Sequence, residues 1–139
     1  MRRWLSTIIL SIFVVSPLSA ANGPTRNTMS PEEVSQFVVI QHVTVKDHVV
    51  SGEIVNISSN PIRNVEILIQ YHWSWHDEKN PGADAPGRAV HYRLKSEVEP
   101  STSVPFVYVP ESPLPMRKDG QFSYEVSLSG FTIVGSTPE

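Results

Sequence analysis

The thirteen-residue run Asn64–His76, NVEILIQYHWSWH, constrains the chain more than any other stretch. Read as a strand, it places Val65, Ile67, Ile69, Tyr71, Trp73 and Trp75 on one face. Glu66, Leu68, Gln70, His72, Ser74 and His76 fall on the other, and only Leu68 breaks the alternation. A helical stripe from Val65 would mix Leu68 and Ile69 with His72 and His76, so period two fits and period 3.6 does not. The same period recurs along the chain. FVVIQHVTVK (37–46) and HVVSGEIVNIS (48–58) read as the two preceding strands, with a tight connection near Asp47 and His48. RAVHYRLKSEV (88–98) alternates Val90, Tyr92 and Leu94 against polar residues. VPFVYV (104–109) follows, with Pro105 marking an edge or a bulge. QFSYEVSLS (121–129) is a sixth strand, Gly130 ends it, and FTIVG (131–135) supplies a seventh. Gly52 inside the second strand marks a bulge or a close backbone approach.

Two long loops, DEKNPGADAPG (77–87) and PESPLPMRKDG (110–120), carry the strongest turn chemistry, and the second has polyproline-like character. Before the strands, Ser30 can cap a helix that has Pro31 at its first position and Glu33 closing a capping box. Met29 and Val34 stand at the staple positions. This predicts about two helical turns ending near Gln36. The expected fold class is all-β: an immunoglobulin-like antiparallel β-sandwich of about seven strands, preceded by a short N-terminal helix, with a small barrel as the alternative.

The first residues belong elsewhere. MRRWLSTIILSIFVVSPLSAANG has a basic start at Arg2 and Arg3, an apolar run from Leu5 to Val15, then Pro17 and small residues. That is the order of a secretory signal peptide, with cleavage after Ala21 or Ala20. The apolar run is short for a membrane span, which needs about 20 residues. The expected organisation is therefore signal peptide 1–21, linker and short helix 22–36, and β-sandwich domain 37–135. Arg2 and Arg3 leave with the leader, so the net charge falls from −3 to −5. An acidic domain has no electrostatic footprint for nucleic acid and no basic patch for an anionic membrane. The chain has no cysteine, which excludes disulfides, thiol chemistry and a lipid-modified N-terminal cysteine. Export without cysteine points to a bacterial periplasmic or secreted protein, not embedded in the membrane once the leader is removed.

YHWSWHDE (71–78) is the stretch that most suggests a ligand. On a strand His72 and His76 stand roughly 13 Å apart, since each residue rises about 3.3 Å. Zinc holds imidazole nitrogen at about 2.0 Å, so the two cannot share an ion unaided. His91 is the partner to consider, because it also lies on the polar face of its strand and could oppose His72 or His76 in an antiparallel pair. Solvated histidines are the plainer reading. Trp73 reads as core. Trp75, at the strand end beside the long loop, is a candidate platform for a glycan. Asp77 and Glu78 sit in a turn without the cleft-spanning geometry a glycosidase needs. No nucleophile elbow, phosphate loop or dinucleotide fingerprint is present, and no cofactor is implied. Asn56-Ile57-Ser58 matches a glycosylation sequon, with a side-chain hydrogen bond at the strand-to-turn junction as the plainer role.

In VVSGEIVNISSNPIRNVEILI, the residues Val50, Gly52, Glu53, Ile54, Asn56 and Val65 give a V-x-G-E-I-x-N run, a turn, then a second alternating strand. With Pro100, Pro105 and Phe106 later, the stretch 37–130 resembles small exported bacterial domains of the FxLYD type. The name-giving string is missing; IQYHWSW stands about where it would fall. The resemblance implies a non-enzymatic, immunoglobulin-like envelope module, with no catalytic residues to carry over. The expected function is an exported accessory module binding an envelope protein partner through a strand edge or through loops 77–87 and 110–120. The alternative is a small-ligand binder, with a metal at His72, His76 or His91 or a glycan on Trp75.

Overall fold

The computed structural model describes residues 29–135; the expected signal peptide and the linker through Thr28 lie outside the described residues. Pro31–Val34 (α1) is one helical turn rather than the two expected. Ser30 and Glu33 cap each other reciprocally across it. Phe37 follows at once and packs against Phe131 with ring centroids 5.9 Å apart, so the chain has already turned into the first strand.

Six strands follow: β1 (Val38–Lys46), β2 (Val49–Asn56), β3 (Ile62–Trp75), β4 (Arg88–Arg93), β5 (Ser103–Tyr108) and β6 (Gly120–Ile133). They form two antiparallel three-stranded sheets, in the orders β1-β2-β5 and β4-β3-β6. Residues of both sheets meet in one core. Val38, Val50, Ile54 and Phe106 come from the first sheet; Ile62, Val65, Ile67, Ile69 and Tyr71 come from β3. Tyr92 of β4 reaches across to the rings of Phe106 and Tyr108. The predicted alternation of β3 holds along its paired length: Val65, Ile67, Ile69 and Tyr71 are buried, and Trp73 and Trp75 are half-buried.

The expected seventh strand is the far end of β6. Gly130 does not stop the strand, because two irregularities cancel. Between Arg63↔Thr132 and Glu66↔Gly130, β3 carries one extra residue; between Glu66↔Gly130 and Ile67↔Leu128, β6 carries one. Asn64 takes φ +52° within the first bulge, a left-handed conformation that asparagine tolerates better than most residues. Gly52 is explained by both readings at once. Opposite it, β1 bulges between Gln41 and Thr44, where His42 has φ +53°. A Cβ on Gly52 would lie 2.9 Å from the Phe106 ring. Pro105 lies on β5, an edge strand, where its missing N–H costs no ladder bond.

Asn56 is fully buried and its side chain is fully bonded. Its Nδ2 donates to the carbonyls of Asn60 (2.8 Å) and Val98 (2.9 Å). Its Oδ1 accepts from the Ser58 N–H (3.0 Å) and hydroxyl (2.7 Å). The sequon is thus a structural knot that ties β2, the following turn and the segment entering β5. Its amide nitrogen is taken and inaccessible.

Candidate functional site: a groove at the loop end

One end of the molecule is built by the β1–β2 turn, the end of β3, the start of β6 and the loop Val109–Asp119. The turn is two residues, since Lys46 pairs with Val49. Asp47 and His48 have φ of +50° and +66°, as the type I′ hairpin demands. That geometry presents His48 to the groove. Two contacts hold it there: the Tyr71 hydroxyl donates to the His48 carbonyl (3.0 Å), and His48 Nδ1 lies 2.9 Å from the Tyr124 hydroxyl. Phe122 meets the His48 ring edge-on at 5.6 Å.

The loop is pinned as firmly. Arg117 lies over both tryptophans, 5.5 Å from the Trp73 centroid and 5.0 Å from that of Trp75. Its guanidinium donates to the Asp119 carboxylate and to the Asp84 carbonyl (3.0 Å). These partners push the Arg117 pKa above its ordinary value, the Asp119 bond first, and the guanidinium holds the Asp119 carboxyl below the usual range. Loop 77–87 is thereby joined to loop 110–120. Arg88 adds a second tie, donating to the Ser112 hydroxyl (2.8 Å) and carbonyl (2.6 Å). Two glycines make room. A Cβ at Gly82 would lie 2.6 Å from the Trp75 ring, and one at Gly120 would lie 2.4 Å from the Ser74 carbonyl oxygen.

Between these fixed walls lie two adjoining hollows, of about 420 and 270 Å³, which share His48 and Met116. Val109, Pro110, Pro113 and Leu114 line the larger; Trp73, Phe122 and Tyr124 line the smaller. Met116 stands between them with 99% of its surface exposed, and Val109 is 62% exposed. An exposed methionine flanked by prolines and aromatic rings is a surface adapted to apolar contact.

The sequence-derived histidine candidates lie away from this groove. His91 pairs opposite Leu68, and β4 pairing ends at Tyr71↔Arg88. The register therefore puts His91 roughly 13 Å along the sheet from His72 and roughly 26 Å from His76, rather than opposite either. His72 Nε2 meets Glu125 (3.2 Å) and His91 Nδ1 meets Glu66 (3.0 Å). His76 is exposed just beyond β3. Among the described residues, no three His, Asp or Glu side chains are grouped to hold a metal ion. Ser129, His91 and Glu66 cluster on one sheet face, yet His91 uses Nδ1 toward both, and the Ser129 hydroxyl lies 3.1 Å from the Glu66 carboxylate. That arrangement offers no relay from serine through histidine. The Glu66 carboxyl is held below its usual range, first by Arg93. Trp75 has Arg117 over its ring and Gly82 against its edge, which occupies surface a sugar would need. Asp77 accepts from the Lys79 N–H and the Asn80 amide, so it serves its own turn. No helix among the described residues is long and apolar enough to cross a membrane.

No family model, curated protein or solved structure matches the chain.

Arg117 gives a direct test of how the loops are held. Trp4 lies in the expected leader, so a chain starting at Asn22 reports only Trp73 and Trp75. Arg117→Ala should red-shift tryptophan emission and increase quenching by iodide. Arg117→Lys should do so partway, since an ammonium keeps the charge but loses the planar stack and paired hydrogen bonds. Unchanged spectra in both variants would show that the arginine does not shield the rings.

Proposed function

We propose that the protein is an exported, non-enzymatic immunoglobulin-like module of the bacterial envelope, related to the FxLYD type. It binds an extended, apolar or proline-containing segment of another envelope protein in the groove around His48 and Met116. The observation that carries this reading is the groove itself: apolar and aromatic, open to solvent, and framed by loops tied down through Arg117 and Arg88. Preformed walls reduce the ordering cost of association. Rings beside prolines suit an extended partner, as in other grooves that accept polyproline-like segments. Export is supported by the leader pattern of residues 1–21 and the absence of cysteine. The immunoglobulin-like assignment is supported by the strand order, in which β5 returns beside β2 and β6 beside β3.

The test is a displayed library of extended peptides selected on the mature chain, with hits titrated against tryptophan emission. Trp73 lines the groove, so occupancy should change its signal, and Met116→Glu should abolish both binding and signal while leaving the melting temperature unchanged. Hits that bind Met116→Glu equally well would place recognition elsewhere, and a library that yields none would remove the groove as a peptide site.

A further inference from the structure

We propose that two copies of this chain associate through the outer edges of their β6 strands, joining the sheets β4-β3-β6 into one six-stranded sheet about a twofold axis at Tyr124. The inference starts from the four strand edges. An exposed edge is a template for pairing unless something blunts it. Edge strand β1 is broken by the left-handed bulge at His42. Edge strand β4 is six residues long and carries Arg88 and Arg93. Edge strand β5 is also six residues and contains Pro105. Edge strand β6 has none of these devices over its first part. From Gly120 to Leu128 it holds unbroken register with β3, contains no proline, and carries Glu125 as its single charge. Among the described residues, no strand pairs with its outer side.

The same stretch selects a second copy as the occupant, because it is self-complementary. Tyr124 is the midpoint of Gly120–Leu128, so a twofold axis there uses the whole regular segment and stops short of the bulge at Ser129. Residues directly opposite one another in an antiparallel pair share a face. The axis sets Phe122 against Val126 and Tyr124 against its own mate on the core side. On the outer side it sets Ser123 against Glu125. The two copies of Glu125 never face each other, whereas an axis one residue further on would oppose them. The partly exposed Val126 and Leu128, which pack at the margin of the core, would gain cover from the second copy. Such an interface is isologous and closed, so it ends at a dimer.

Sedimentation equilibrium of the mature chain tests the state, and two substitutions test the register. The wild type should run as a dimer at high concentration and dissociate on dilution. Ser123→Glu opposes Glu125 of the mate twice and should weaken self-association by about tenfold or more. Adding Glu125→Lys should restore it. Both positions are exposed, so circular dichroism and melting should stay close to wild type. A monomer up to about 1 mM would overturn the proposal and leave the β6 edge to a strand from another protein. A dimer indifferent to both substitutions would overturn it equally, by placing the interface elsewhere.

Discussion

Asn56→Ala should destabilise the domain by about 3 kcal/mol. The alanine removes the amide's bonds to the Val98 and Asn60 carbonyls, which keep only the Ile62 N–H and the Ser58 hydroxyl, and leaves the Ser58 N–H without its partner. Each lost bond to a buried group costs on the order of 1 kcal/mol net. Asn56→Asp should be worse near pH 7, by about 4 kcal/mol or more, because a carboxylate would face two carbonyl oxygens where the amide donated. The sign of its pH dependence follows. A carboxylate disfavoured by burial has a folded pKa raised above the unfolded value of about 3.9. Protonation therefore favours the folded state, so the aspartate variant should regain stability as pH falls through that raised pKa. Urea unfolding of both variants at about pH 7 and about pH 4 measures the difference. An aspartate variant matching alanine at both values would contradict the assigned bonding.

Tyr71→Ala should cost about 3–5 kcal/mol, the usual range for truncating a large buried ring. The ring is 1% exposed and meets Tyr124 edge-on at 5.6 Å. Tyr71→Phe keeps the ring and removes the bond to the His48 carbonyl, a loss of about 1 kcal/mol. Its larger consequence concerns alkali. Burial pushes the Tyr71 phenol up to about 12, with the nearby Tyr108 adding to the shift. A phenol whose folded pKa is raised contributes stability that is fully present below the unfolded value of about 10 and lost as pH rises through the folded one. The wild type should therefore lose stability between about pH 10 and about pH 12, and Tyr71→Phe should lose less. Burial raises Tyr124 as well, so the difference in phenolate absorbance between wild type and Tyr71→Phe, followed alongside unfolding, isolates Tyr71. Equal alkaline losses in wild type and variant would show that Tyr71 is not the responsible group.

These two residues also mark what the sequence discloses. Tyr71 was legible because period two is a local property, carried by Val65, Ile67 and Ile69 on the same strand. Pro105 was legible for a similar reason: a missing N–H restricts a residue to an edge wherever its partners lie. Gly130 misled, because cancelling bulges depend on β3 and β6 together, and neither strand encodes the cancellation alone. The histidine pair failed on register, which a twelve-residue connection between β3 and β4 does not transmit. The groove stayed hidden for the same physical reason. His48, Trp73, Met116, Arg117 and Tyr124 come from four separate segments, and none carries a local signature of the others. Loop 110–120 was legible as a binding surface from its turn chemistry, but the walls it faces were not.

The sheet order has a consequence for how the chain is assembled. Central strand β3 obtains one neighbour only when residues 120–133 arrive, for Ile62 pairs with Ile133 and Trp75 with Gly120. Until then Ile67 and Ile69 belong to a long, oily strand with an open side, the kind of segment that aggregates when left waiting. Folding dominated by such distant pairings is slow, and here it cannot finish before β6 has been made. Nascent chains released before β6 should therefore gain no stable partial fold and should be sticky and protease-sensitive. Strand β6 acts as the latch that commits the polypeptide to its native state.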